Sequence, residues 1–185
     1  MRLIPVAAAV LLALPGAALA DTPLALLKAA MAERLAAMPD VARHKWNSGA
    51  AVEDRAQEAR VVEGAVAAGQ ELGLAPEVVR SVAIAQIEAA KLVQSALIEQ
   101  WQAEAAAKFT DVPDLAAVLR PAIGSATEAI IGNLKPAAPA LRECAGAGEL
   151  RAVPEALASY AAAWQVAADG VIAAQGGPAR TACPG

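Results

Sequence analysis

The sequence is poor in the residues that carry metal-dependent or redox chemistry. It has one histidine, His44, and two cysteines, Cys144 and Cys183. No CxxC string occurs and the histidine lies far from both cysteines, which leaves little for a metal site. The absence of CxxCH excludes c-type haem attachment. Aromatic residues make up only 3% of the chain. Alternating runs of valine, threonine and tyrosine are scarce, which argues against sheet. Basic charge is also lacking: 15 lysines and arginines face 19 acidic residues. There is no bulk positive field to grip nucleic acid, so an anionic small ligand must be held by a few placed cations.

The longest apolar run is short as well. Residues 1–20 read MRLIPVAAAVLLALPGAALA. Arg2 supplies a positive start, Leu3 to Leu14 an apolar stretch, and Ala18-Leu19-Ala20 a small-x-small end. A membrane-spanning helix needs about 20 apolar residues, so this is expected to be a signal peptide cleaved after Ala20, not an anchor. No cysteine stands at the cleavage point, which argues against a lipoprotein. The expected product, residues 21–185, is one domain of 165 residues with a net charge of −5 and no membrane attachment. An even cysteine count in an exported chain suggests a Cys144–Cys183 disulfide, contributing about 2–4 kcal/mol.

What the chain does contain is alanine, punctuated by glycine and proline, with apolar residues at helical spacing. The fold class expected is all-α, a single domain of about six helices. Leu24, Leu27, Met31, Leu35 and Met38 form the stripe of a first helix opened by Thr22 and Pro23. Pro39 ends or bends it, and Asp40 to Ser48 reads as an irregular connector. A second helix is expected from about Ala51 to Leu72, and a long third one from Pro76 to about Lys108. A fourth begins near Asp114, starts late or kinks at Pro121, and ends at Pro136 and Pro139. A short helix near Leu141 and a last one from about Pro154 to Ala174 complete the chain.

Several polar residues sit beside these stripes: Arg34, the run His44-Lys45-Trp46, Asp54, Glu58, Gln86, Gln94 and Arg120. Each has an ordinary explanation. Asp54 complements a helix N-terminus, Arg34 could pair with a surface carboxylate, and the glutamines could be solvated.

Together the string from Arg34 through His44-Lys45-Trp46 and Glu53-Asp54 to Gln86-Ile87-Glu88-Ala89-Ala90-Lys91-Leu92-Val93-Gln94 and Trp101 resembles the secreted or periplasmic all-helical chorismate mutases. The resemblance runs over the whole chain after residue 20 and includes the late cysteine pair. It implies conversion of chorismate to prephenate, a unimolecular rearrangement that uses no cofactor and no metal. Such a site must fold a dicarboxylate and stabilise charge on a breaking ether oxygen. By resemblance, Arg34 clamps a carboxylate, Lys45 reaches the ether oxygen and a carboxylate, and Gln94 donates to that oxygen. Glu58 accepts from the ring hydroxyl, Asp54 orders the local backbone, and Arg120 supplies a cation from the same chain. Ala90 falls where relatives carry serine or threonine. Gln57 stands where the family has arginine, and Arg55 is a possible stand-in if the helix starts late or shifts. The resemblance also implies a homodimer, a secreted or periplasmic location and a place in aromatic amino acid biosynthesis. Two other readings stand beside it: a helical binding protein that kept the fold and lost the reaction, which Gln57 favours, and an envelope protein whose cations point to solvent.

Overall fold

The computed structural model describes residues 22–183. The expected signal peptide lies outside the described residues. Within them the fold is all-helical, with seven α-helices and no strand.

Helix α1 (Pro23–Ala36) opens on the Thr22 hydroxyl, which accepts from the Ala25 amide at 3.1 Å, with Pro23 in the first turn. The stretch expected as a connector is instead helix α2 (Met38–Ser48). The chain hardly breaks before it: Ala37 keeps right-handed helical angles, and its amide still bonds to Glu33. Pro39 sits in the first turn of α2, where an absent N–H needs no partner. Only Met38, Val41 and Ala42 are buried in α2, too few apolar positions to show in a pattern. Gly49 closes it in the left-handed conformation (φ 71°) that glycine adopts without strain, one turn beyond Lys45.

Helix α3 (Arg55–Glu71) starts four residues later than its apolar pattern suggests, because Asp54 caps it. Helix α4 (Pro76–Ala103) stops short of Lys108. Ala105 takes a positive φ of 49° and the Ala106 amide turns back to the Trp101 carbonyl. A π-helical turn (Leu115–Leu119), capped by Asp114, leads into α5 (Arg120–Leu141), so Pro121 occupies a first turn as anticipated. Pro136 and Pro139, expected to end α5, lie inside it. Each removes a backbone bond, at about 3 kcal/mol for an isolated helix. The burial of Leu134, Ala137, Ala138 and Leu141 on one face holds the helix through both. Then come α6 (Cys144–Arg151), a 3₁₀ turn (Glu155–Tyr160), α7 (Ala161–Ala174) and a short 3₁₀ turn (Arg180–Ala182).

Helix α1 packs along α5, and α4 is central, meeting α2, α3 and α7. Leu27 and Met31 of α1, Ile130, Ile131 and Leu134 of α5, Val79, Val82 and Val93 of α4, and Trp164 and Ile172 of α7 are almost wholly buried in one core. The small residues set its tightness. A methyl group on Gly170 of α7 would overlap the side chain of Ala85 on α4. By length and composition α4 and the Leu115–Leu141 segment could each cross a membrane; here one face of each, with Val82 and Val93 or Ile130 and Leu134, is buried in this core. The Cys144–Cys183 disulfide is present. Arg151 and Arg180 both bond Asp169 and tie the tail to α7.

Candidate active site

A cavity of about 520 Å³ opens among α1, α2, α3, α4 and α5. Its walls are largely apolar, with Met38, Val41, Val61, Ile87, Ile123 and Ile131 among them. Arg34, Lys45, Asp54, Gln57, Glu58, Gln94 and Arg120, drawn from five helices and a loop, all line it. Arg55 does not. It lies on the outer side of α3, its side chain 87% exposed and paired with Glu53 at 3.2 Å. The helix does start late, at Arg55 itself, yet that start leaves the Arg55 side chain facing out of the cavity.

Arg34 lies at the floor. It is 4% exposed, with Nε donating to Thr127 Oγ1 at 3.2 Å and Nη1 to the Gln86 carbonyl at 2.8 Å. Both acceptors are neutral, and burial pushes the guanidinium down to about 10. It is still charged at neutral pH, an uncompensated cation in a low-dielectric wall. Lys45 approaches from the last turn of α2. Its Nζ donates to the Val52 carbonyl at 2.6 Å. Burial lowers its pKa from the ordinary lysine value, while Asp54 and Glu58 pull the other way.

The α3 N-terminus is built by a reciprocal cap. Asp54 Oδ1 accepts from the Gln57 amide at 3.0 Å, and Glu58 Oε1 accepts from the Asp54 amide at 3.3 Å. The other Glu58 oxygen lies 3.6 Å from Lys91 Nζ, and Lys91 also pairs with Glu88 at 2.7 Å. The hydrogen bond to Glu88 holds the Lys91 ammonium above its ordinary value; burial works against it, and the nearby Glu58 charge adds to the rise. Gln94 is 5% exposed; its Nε2 donates to the Ala90 carbonyl at 3.1 Å and to Met38 Sδ at 3.5 Å, while Oε1 has no protein partner. A thioether is a weak acceptor, so that second N–H gains by turning to a ligand oxygen. Arg120 stands exposed at the first residue of α5, on the cavity rim.

Arg60, Thr127 and Glu128, which the sequence does not single out, also line the cavity, as do Met38 of the expected apolar stripe and Lys91, given no role there. Five cations (Arg34, Lys45, Arg60, Lys91, Arg120) thus meet three carboxylates (Asp54, Glu58, Glu128) in a chain of net charge −4. Among the described residues only Lys91 of those five forms an ion pair. Trp101 lies elsewhere. It stacks edge-on with Trp46 and Phe109, and Trp46 and Asn47 bond the 104–113 loop, which anchors the end of α2 that carries Lys45.

An all-helical domain that turns cations and a side-chain amide into an apolar cavity can hold a small polyanion by placed donors. Comparison with known proteins gives the family. The family model for chorismate mutase type II matches residues 25–95. The crystal structure of a chorismate mutase from Burkholderia phymatum is similar with a TM-score of 0.69 and 30% identity, over 80% of this chain and 95% of that one. A secreted chorismate mutase from Yersinia pestis is 41% identical over 69 residues, which span 37% of this chain and 37% of that relative. The crystal structure of the secreted Yersinia enzyme shares the fold at a TM-score of 0.60 and 22% identity, over 81% of this chain. The chain belongs to the chorismate mutase type II family.

Proposed function

We propose that the protein is a chorismate mutase, rearranging chorismate to prephenate within this cavity. The observation that carries the proposal is the convergence of Arg34, Lys45, Gln94, Glu58 and Arg120 on one apolar-walled space. In the reaction the ether C–O bond breaks as a C–C bond forms, with no proton transfer and no leaving group. The protein has to compress the substrate into a chair-like shape and stabilise negative charge on the ether oxygen.

Arg34 is preorganised for the first task. Two of its nitrogens are fixed by Thr127 and Gln86, and its remaining donors serve one carboxylate as a fork. Lys45 and Gln94 serve the second, donating to the ether oxygen from α2 and α4. Two such donors in a desolvated site each contribute about a hundred- to a thousandfold in rate. Glu58, held by Asp54 and Lys91, accepts from the ring hydroxyl. Arg120 closes on the outer carboxylate from the same chain, and Gln57 lines the same cavity as a neutral donor.

We further propose export: residues 1–20 direct the chain out of the cytoplasm, residues 21–185 work in the periplasm or outside the cell free of the membrane, and the disulfide suits that compartment. A homodimer with one complete site per chain fits this reading, as does a product that feeds aromatic amino acid formation. Loss of chorismate absorbance tests the activity. Lys45→Ala is expected to lower kcat/KM by at least about a hundredfold. Wild type and variant both at the uncatalysed rate would leave the second reading, a helical binding protein, in its place.

A further inference from the structure

Resting on that reading, we propose that Arg60 supplies the carboxylate-binding cation that Gln57 lacks, with Gln57 converted into the residue that positions it. Arg60 lies one turn after Gln57 on the same side of α3, and it is the arginine of that helix that lines the cavity. Its Nε and Nη2 donate to Gln57 Oε1 at 3.3 and 2.9 Å. A guanidinium has five N–H donors, so the pair uses one edge and leaves the other for a ligand.

The nature of the partner matters. Had Gln57 been a carboxylate, Arg60 would be neutralised. An amide oxygen fixes the guanidinium without cancelling its charge, and no carboxylate among the described residues lies within ion-pair distance of it. Arg55 is the opposite case: its charge is spent on Glu53 and its side chain faces solvent. Nor does the start of α3 offer room to adjust, since the Asp54–Glu58 cap fixes it. Arg60 and Arg120, from α3 and α5, are both exposed, whereas Arg34 is buried. We assign Arg34 the inner carboxylate of the dicarboxylate, and the Arg60–Arg120 pair the outer one.

Steady-state kinetics on chorismate at low and high ionic strength test the assignment in the purified protein. Because Arg60 is exposed and screened, Arg60→Ala is expected to raise KM about tenfold with a smaller change in kcat. It should also flatten the salt dependence of KM seen in wild type, which loss of a merely structural residue would not do. Arg60→Lys, which keeps the charge but not the fork, is expected to fall between the two. Adding Gln57→Arg to Arg60→Ala is expected to recover most of the loss, since the new arginine projects from the preceding turn into the same cavity. An active enzyme whose KM and salt response ignore Arg60→Ala overturns the assignment, as does the same loss produced by Arg55→Ala in place of Arg60→Ala. A wild-type protein with no chorismate turnover overturns the proposed function instead, and the assignment falls with it.

Discussion

Replacing Arg34 by methionine separates catalysis from stability in a way that depends on how that arginine is buried. The side chain is 4% exposed and holds two hydrogen bonds to neutral acceptors, with no carboxylate partner. Bonds from a charged donor contribute about 1.5–3 kcal/mol each. Against them stands the burial of the charge. A guanidinium held at about 10, well below its ordinary value, is destabilised by about 3 kcal/mol in the folded protein. The two nearly cancel. Arg34→Met removes both, keeps an unbranched chain in the same space, and leaves the Thr127 hydroxyl bonded to the Ile123 carbonyl. Unfolding free energy in urea is therefore expected to fall by only about 1–2 kcal/mol. The effect on turnover has no such compensation, since the substrate carboxylate is the missing counter-charge. kcat/KM on chorismate is expected to drop about a hundredfold, equivalent to about 3 kcal/mol. A variant that keeps kcat/KM within tenfold of wild type while losing about 4 kcal/mol or more of stability would refute the reasoning. Arg34 would then be a structural strut between α1, α4 and α5.

Three further outcomes follow from the same geometry. Activity is expected to fall on the alkaline side below the ordinary lysine value of 10.5, because burial favours neutral Lys45 and the cation is the active form; a kcat profile from pH 6 to 10.5 shows where the limb lies. Gln94→Glu should retain activity only at acid pH, since a glutamate must be protonated before it can donate to the ether oxygen. Cys144→Ser is expected to cost about 2–4 kcal/mol of unfolding free energy by opening a 39-residue loop, with kcat unchanged because the disulfide lies outside the cavity lining.

The helices were legible wherever a buried stripe repeated, as in α1, where Leu24, Leu27, Met31 and Leu35 are all buried. They were not legible where tertiary contacts override local preference. Helix α2 carries mostly polar residues, and its helicity comes from near-continuity with α1 and from packing on α4. Prolines 136 and 139 read as stops, yet the core contacts of α5 carry the helix through them. For the site, Arg34, Lys45, Gln94 and Arg120 were readable because they punctuate apolar spacing within a known string. Arg60 was passed over since that string directs attention to position 57. The signal was present in the spacing: Arg60 follows Gln57 by three, which puts both on one helix face. Arg55, two before Gln57, points elsewhere by the same rule.

The most direct test of the site is a crystal structure with a stable dicarboxylate analogue of the folded transition state. One carboxylate is expected on Arg34, the other between Arg60 and Arg120, and the ether oxygen within hydrogen-bond distance of both Lys45 Nζ and Gln94 Nε2. An analogue bound with its ether oxygen away from Lys45 and Gln94, or seated outside this cavity, would contradict the assignment of catalysis to these residues.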